Sequence, residues 1–192
     1  MDKLIVKLEH FVKRETSGRH PSHGYDHMKV VYENALLIMK NMNLTQNQRR
    51  WAIIVAWLHD VADHKYDLDG TIMNNVILFI EKIEPTPNYI IECIKAVSFS
   101  TEKRMGYKHY ENTLPPEWVI VRNIASDADK MEALGKMGVV RCIQYAQEQY
   151  EKKLEKNCIL SNEEQIQYVW NHSQEKILHL HNCSDEEVKN IF

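Results

Sequence analysis

With 192 residues, 44% of them hydrophobic and 27% charged, the chain has the make-up of a soluble globular protein, long enough to bury a core without disulfide or metal staples. A net charge of −3 argues against general nucleic-acid binding. No apolar run approaches the ~20 residues that span a bilayer, so no membrane partner is expected.

Six glycines and five prolines favour long helices over a turn-rich β-sandwich. In residues 2–15, Leu4, Ile5, Leu8, Phe11 and Val12 fall on one stripe, which predicts an amphipathic helix. Thr16-Ser-Gly ends it, and Arg19-His-Pro-Ser-His-Gly reads as loop. A second helix is predicted over 25–42, with Val30, Val31, Ala35, Leu37, Ile38 and Met42 as core. Thr45 and Gln48 form a capping box that opens a third helix. Its run from Trp51 to Leu58 is apolar on every side, the pattern of a helix buried all round. The pattern predicts that this helix continues through His59, Asp60, Asp63 and His64, whose i,i+4 pairs would form one contiguous patch.

A polar turn follows, then a helix over about 72–83 and another over 88–97, with Thr86 as N-cap and Pro87 in its first turn. Residues 98–116 show no clear period and read either as an active-site lid or as a mobile linker. Helices are predicted over 118–135 and 139–155, with Gly135 and Gly138 bending the path between them. Ser161 and Glu164 cap a last long helix with Ile166, Val169, Trp170, Ile177 and Leu180 as core, and Ser184 and Glu187 cap a short terminal one. No segment makes a convincing strand. The expected fold is all-α, a single helical domain over 1–192 built around a buried central helix.

Cys93, Cys142, Cys158 and Cys183 are far apart, with no Cys-x-x-Cys spacing, and no signal peptide precedes them. They read as reduced thiols of a cytoplasmic protein. The chemistry concentrates elsewhere. Burying a carboxylate or an imidazolium without a partner costs several kcal/mol, so a helix seldom carries such groups into its core without a ligand to offset that cost. Three clusters do so: Ser22-His23-Gly-Tyr-Asp26-His27-Met-Lys29, the His59 to His64 run, and Ser126-Asp127-Ala-Asp129-Lys130. Helical phase does not choose between Asp127 and Asp129.

Histidine, then His-Asp, then aspartate, each on a helix, resembles the HD superfamily of metal-dependent phosphohydrolases. The likeness extends to Ser-His-x-x-x-His, Leu-His-Asp-Val-Ala-Asp-His-Lys-Tyr, Val-Ser-Phe-Ser, Asp-Ala-Asp-Lys-Met-Glu-Ala-Leu-Gly and His172-x-x-Glu-Lys176-Ile-Leu, in order from about residue 22 to 180. Together these look like one bacterial-type subfamily of small HD proteins. The resemblance implies His27, His59, Asp60 and Asp129 as metal ligands, with Asp127 left as a supporting or helix-capping group. Where such proteins often carry arginine three residues after the first ligand histidine, this chain has Val30, with Lys29 one place earlier.

Two imidazoles and two carboxylates suit one divalent ion, Mn²⁺ foremost, with Fe²⁺, Co²⁺, Ni²⁺ or Mg²⁺ as alternatives. Asp63 stands where related guanosine-tetraphosphate hydrolases have a carboxylate, and is assigned as general base or water-orienting group, with His64 beside it. Lys65 and Lys130 are assigned to phosphate. His23 is either a supporting or a substrate-facing imidazole. Arg104, Arg141 and Lys176, with Lys103 and His109, form a looser tier of substrate contacts. The family implies a nucleotide phosphohydrolase, in this subfamily a nucleoside triphosphate (pyro)phosphohydrolase. A 5′-nucleotidase, a cyclic-nucleotide or guanosine-tetraphosphate hydrolase and a non-catalytic metal- and nucleotide-binding sensor share the same ligand set. The sequence leaves a homodimer open.

Overall fold

The computed structural model describes residues 2–106, 108–133, 135–154 and 160–175. Within these the chain is all-α, with no strand. The helices are α1 (Asp2–Glu15), α2 (Tyr25–Met39), α3 (Gln46–Leu58), α4 (Thr71–Ile83), α5 (Pro87–Val97), α6 (Phe99–Met105), α7 (Pro116–Ala133), α8 (Gly135–Leu154) and α9 (Asn162–Glu175). Short 3₁₀ turns lie at Pro21–His23 and His109–Asn112. No described helix is long and apolar enough to cross a membrane. The chain divides into two compact units, Met1–Asp129 and Lys130–Phe192.

The first unit is assembled around α3, which packs against α1, α2 and α5. Every residue from Ala52 to Leu58 is buried, as an all-apolar helix requires. Trp57 is fully buried, its indole stacked between the rings of Tyr25 and Tyr32, with centroids 5.9 and 5.1 Å away. The capping box is formed: Gln48 N donates to Thr45 Oγ1 at 3.2 Å, and Thr45 N donates to Gln48 Oε1 at 3.0 Å.

Helix C-termini in this unit are closed by arginines from other segments. Arg49 donates to the carbonyls of Met39 and Met42 beyond α2, and Arg50 to Ile83 O at the end of α4. Arg122 donates to Ala96 O of α5 through both Nε and Nη2. Arg19 donates to Val61 O at 2.6 Å and to Asp60 O at 3.4 Å, just past α3. A guanidinium placed there satisfies orphan carbonyls and meets the negative end of the helix dipole.

Three sequence expectations need correction. First, α3 stops at Leu58, and His59 to Ala62 form a turn. Val61 N bonds back to Leu58 O and Asp63 N to Asp60 O, three residues each, so the backbone tightens instead of continuing the α ladder. Aspartates compete locally for backbone donors, as Asp63 Oδ1 does by accepting from Lys65 N at 2.8 Å, and Arg19 holds the turn carbonyls. Second, residues 98–116 are not featureless. They contain α6 and a 3₁₀ turn, and bury Glu102, Tyr110 and Leu114. Arg122, wholly buried, pairs with Glu102 and lies 3.8 Å over the Tyr110 ring. Third, Val30 and Leu37 on α2 are exposed, because α3 covers only the stripe of Met28, Val31, Ala35 and Ile38.

In the second unit α8 packs on α9, and Cys142, Ala146 and Leu160 are buried. The Ser161–Glu164 capping box is formed at the start of α9. Ile166 and Trp170 on that helix, expected in a core, are 70% and 62% exposed. Gly138 is required by close approach: a Cβ there would fall 1.9 Å from the Ala133 carbonyl oxygen. Ile177, Leu180, Lys176, Cys158, Cys183 and the cap predicted at Ser184 lie outside the described residues. Cys93 and Cys142 are both buried, and burial pushes the Cys93 thiol up to about 12.

Candidate metal centre

Each of the three clusters reaches the site by a different local route. His27 sits in the first turn of α2 and is buried. His59 is the first residue beyond α3, and Asp60 follows it in the turn. Asp129 lies on α7, which is tied to α2 by the Asn34 side-chain amide donating to Ala128 O at 3.0 Å.

His27, His59 and Asp129 present one donor atom each within 4.8 Å of one another. His27 Nε2 is 3.7 Å and His59 Nε2 3.8 Å from Asp129 Oδ1, and His27 Nε2 is 4.0 Å from Asp60 Oδ2. These gaps are too long for hydrogen bonds. They suit donors around a common ion, since two atoms ~2.1 Å from one centre lie ~3 Å apart at a right angle and ~4.2 Å apart across it.

The protonation of His59 follows from its other nitrogen. Nδ1 lies 2.9 Å from Ala56 O, and a carbonyl only accepts, so Nδ1 carries the proton. In the neutral ring, Nε2 is then the nitrogen that carries the lone pair. It is buried and makes no hydrogen bond. An imidazole held by a backbone carbonyl with its far nitrogen bare is the arrangement of a metal-ligating histidine. The donor chemistry, two imidazoles with carboxylates, fits a divalent ion as well.

Asp60 is strongly perturbed. Burial opposes its charge, but the hydrogen bond from His23 and the positive charge that the His59, His27 and His23 rings carry when protonated outweigh it and hold the carboxyl well below the usual carboxylate range. His23 Nδ1 lies 3.0 Å from Asp60 Oδ2, and the His23 ring is 5.9 Å from Tyr66. Tyr66 in turn lies under Arg19, at 4.6 Å. Arg19 thus fixes the turn bearing Asp60 from both sides, a role hidden in a stretch that reads only as loop. Nothing in the sequence could have flagged it, because the turn carbonyls it holds are more than forty residues away.

Asp63 is one turn beyond His59 and only 11% exposed, within 4.8 Å of His23 and Asp60 through its donor atom. Its neighbours diverge. The His64 side chain is 77% exposed, 3.3 Å from Asp63 Oδ1, and Lys65 Nζ is 3.9 Å from Asp63 Oδ2. Asp127 is fully buried on α7 but is not among the converging donors. Lys29 is exposed beside Glu33, Arg104 is exposed, and His109 turns its Nδ1 to Gly106 O. In the second unit Lys130 is buried and Arg141 is paired with Glu132. Lys176 and the side chains of Lys103 and His172 lie outside the described residues.

No protein-family model matches the chain. It is similar to an uncharacterized protein of Acanthamoeba polyphaga mimivirus, 26% identical over 159 residues, which cover 74% of this chain and 61% of that protein. The chain thus spans under two thirds of that relative's length. A crystal structure of a Lactobacillus plantarum protein is similar over 100% of this chain and 89% of its own, with a TM-score of 0.71 and 21% identity. That likeness carries the fold alone.

Proposed function

We propose that the chain is a metal-dependent phosphohydrolase acting on nucleotides, specifically a nucleoside triphosphate (pyro)phosphohydrolase. The observation that carries the reading is the bare, buried His59 Nε2 facing Asp129 Oδ1 at 3.8 Å, with His27 completing the group. His27, His59, Asp60 and Asp129 would hold one divalent ion. When bound, the ion supplies Lewis acidity toward water and phosphoryl oxygens. The nucleotide substrate rests on the resemblance of the His59–Tyr66 and Asp127–Gly135 runs to small HD proteins.

The side chains around that group divide the remaining work. Asp63 anchors Oδ1 on the Lys65 amide, which fixes the carboxylate and leaves Oδ2 to orient an attacking water or take its proton. His23 steadies the Asp60 carboxylate through its 3.0 Å contact. Lys65, exposed beside Asp63, is placed to meet a phosphate oxygen as a point charge. The sequence holds no glycine-rich phosphate cradle, so phosphate binding would fall to the ion and such cations.

The test is turnover of a nucleoside triphosphate panel with Mn²⁺, separating pyrophosphate from orthophosphate, on the wild type and on Asp63→Asn. That substitution keeps the shape and removes the basicity. It should lower kcat by ~10²- to 10⁴-fold while the ion stays bound. Near wild-type kcat would remove Asp63 from the reaction, and no turnover of any triphosphate by the metal-loaded wild type would overturn the substrate class.

A further inference from the structure

We propose that Asp67 is a positioning residue, the clamp that docks the Asp63 segment on the start of α4. The inference rests on the role given to Asp63 in the proposed function.

The first turn of α4 is capped from a distance. Its N-cap is Gly70, which has no side chain to meet the free amides there. Aspartates ahead of it meet them instead. Asp67 Oδ1 accepts from Ile72 N and Oδ2 from Met73 N, each at 2.8 Å, and Asp69 Oδ1 accepts from Thr71 N at 3.0 Å. Gly70 permits this with φ +77°, a left-handed conformation that would strain an L side chain even though the space around it is open. A serine or aspartate at the N-cap itself would close the helix and leave the preceding segment untied. A carboxylate three residues upstream makes the cap a tie between helix and loop, and its charge meets the positive end of the helix dipole.

The same residue reaches Asp63 through its backbone. Asp67 N and Tyr66 N donate to Asp63 O at 3.0 and 2.9 Å, and Lys65 N donates to Asp63 Oδ1 at 2.8 Å. Asp67 thus grips α4 with its side chain and Asp63 with its amide. α4 is itself fixed within the first unit. Val76 and Ile80 are buried, Phe79 stacks on Phe11 with centroids 4.2 Å apart, and Asn75 donates to Glu15 of α1 at 3.1 Å. With Arg19 on Val61 O, the segment from Asp60 to Asp67 is held at both ends by parts of the fold that carry no proposed metal ligand. A group that orients or deprotonates water must keep its oxygen within hydrogen-bond reach, and a displacement of ~1 Å can cost ~10²-fold in rate. Loosening Asp67 therefore acts on turnover through Asp63 and leaves ion and substrate binding in place.

The experiment compares Asp67→Ala, Asp67→Asn and Asp69→Ala in the full chain. Hydrogen exchange needs no substrate. In Asp67→Ala the amides of residues 65–67 should exchange at least ~10-fold faster, with those of Ala52–Leu58 in α3 unchanged. Asp69→Ala removes a capping contact from the same helix but not the tie to Asp63, and should leave residues 65–67 at the wild-type rate. In triphosphate turnover with Mn²⁺, Asp67→Ala should lower kcat ~10- to 100-fold while KM and ion affinity change by less than ~3-fold. In an Asp63→Asn background it should cost no more than ~2-fold, because no base is left to position. Asp67→Asn, which keeps one accepting oxygen, should fall between, and it serves alone if Asp67→Ala does not fold. Unchanged exchange at residues 65–67, an equal effect of Asp69→Ala, or the same kcat loss with and without the Asp63 carboxylate would each overturn the clamp. A wild type that turns over no triphosphate overturns the substrate reading instead, and exchange at residues 65–67 still decides the clamp.

Discussion

Arg122 and His59 are both polar groups sunk into apolar helical surroundings, and the fold treats them in opposite ways. Each of the three guanidinium nitrogens of Arg122 has an acceptor, in Ala96 O, Asn123 Oδ1 and Glu102, with the Tyr110 ring over its face. His59 uses one nitrogen on Ala56 O and leaves the other without a hydrogen bond. The first is a closed network, whose members answer one another. The second is open toward Asp129 and His27. Buried polar groups usually end on partners of their own chain, so an imidazole nitrogen left bare beside a carboxylate and a second imidazole is the place to test for a ligand.

The comparison is broken most severely by emptying the open side. His59→Ala and Asp129→Ala should each abolish metal binding, read by elemental analysis, while Asp127→Ala should keep the ion. Full occupancy in the first two would refute the ligand set, and loss only in Asp127→Ala would exchange the two aspartates. Next in size is the closed side. Arg122→Met removes the guanidinium that faces buried Glu102, which should cost about 3–5 kcal/mol in urea unfolding, with ion stoichiometry unchanged in the folded fraction. Metal loss in that variant would show that the two networks are not separable.

Chelation of the wild type sharpens the contrast at a smaller scale. An ion present at ~100 times its dissociation constant stabilises the folded state by about 2.7 kcal/mol, so its removal should lower Tm by several degrees. An unchanged melting curve after verified removal would place the ion outside the core. The smallest effect calibrates the others. Thr45→Ala opens the exposed capping box at the start of α3 and should cost ~1 kcal/mol in unfolding, with no effect on metal affinity.

Much of the first unit was readable along the chain because its signals are local. The stripe of Leu4, Leu8, Phe11 and Val12, the capping boxes at Thr45 and Ser161, and the unbroken apolar run of α3 each depend on neighbours within a turn. The site was readable in kind for a related reason. His27, His59 and Asp129 interrupt apolar patterns, and such interruptions carry a cost that points to a ligand.

What lay beyond the sequence was set by partners remote along it. The end of α3 at Leu58 follows in part from Arg19, whose acceptors in the turn are over forty residues away, and this turned a predicted helical patch into a turn that separates exposed His64 from Asp60. The anchoring of residues 98–116 depends on Arg122 reaching back across the unit to Glu102 and Tyr110. Ile166 and Trp170 have core chemistry but stand exposed on α9. Composition and periodicity thus determined that the chain is helical and which residues are candidates for its chemistry. Tertiary packing decided where helices stop, which apolar faces are covered and which donors meet, because those outcomes depend on distances between segments that no local pattern encodes.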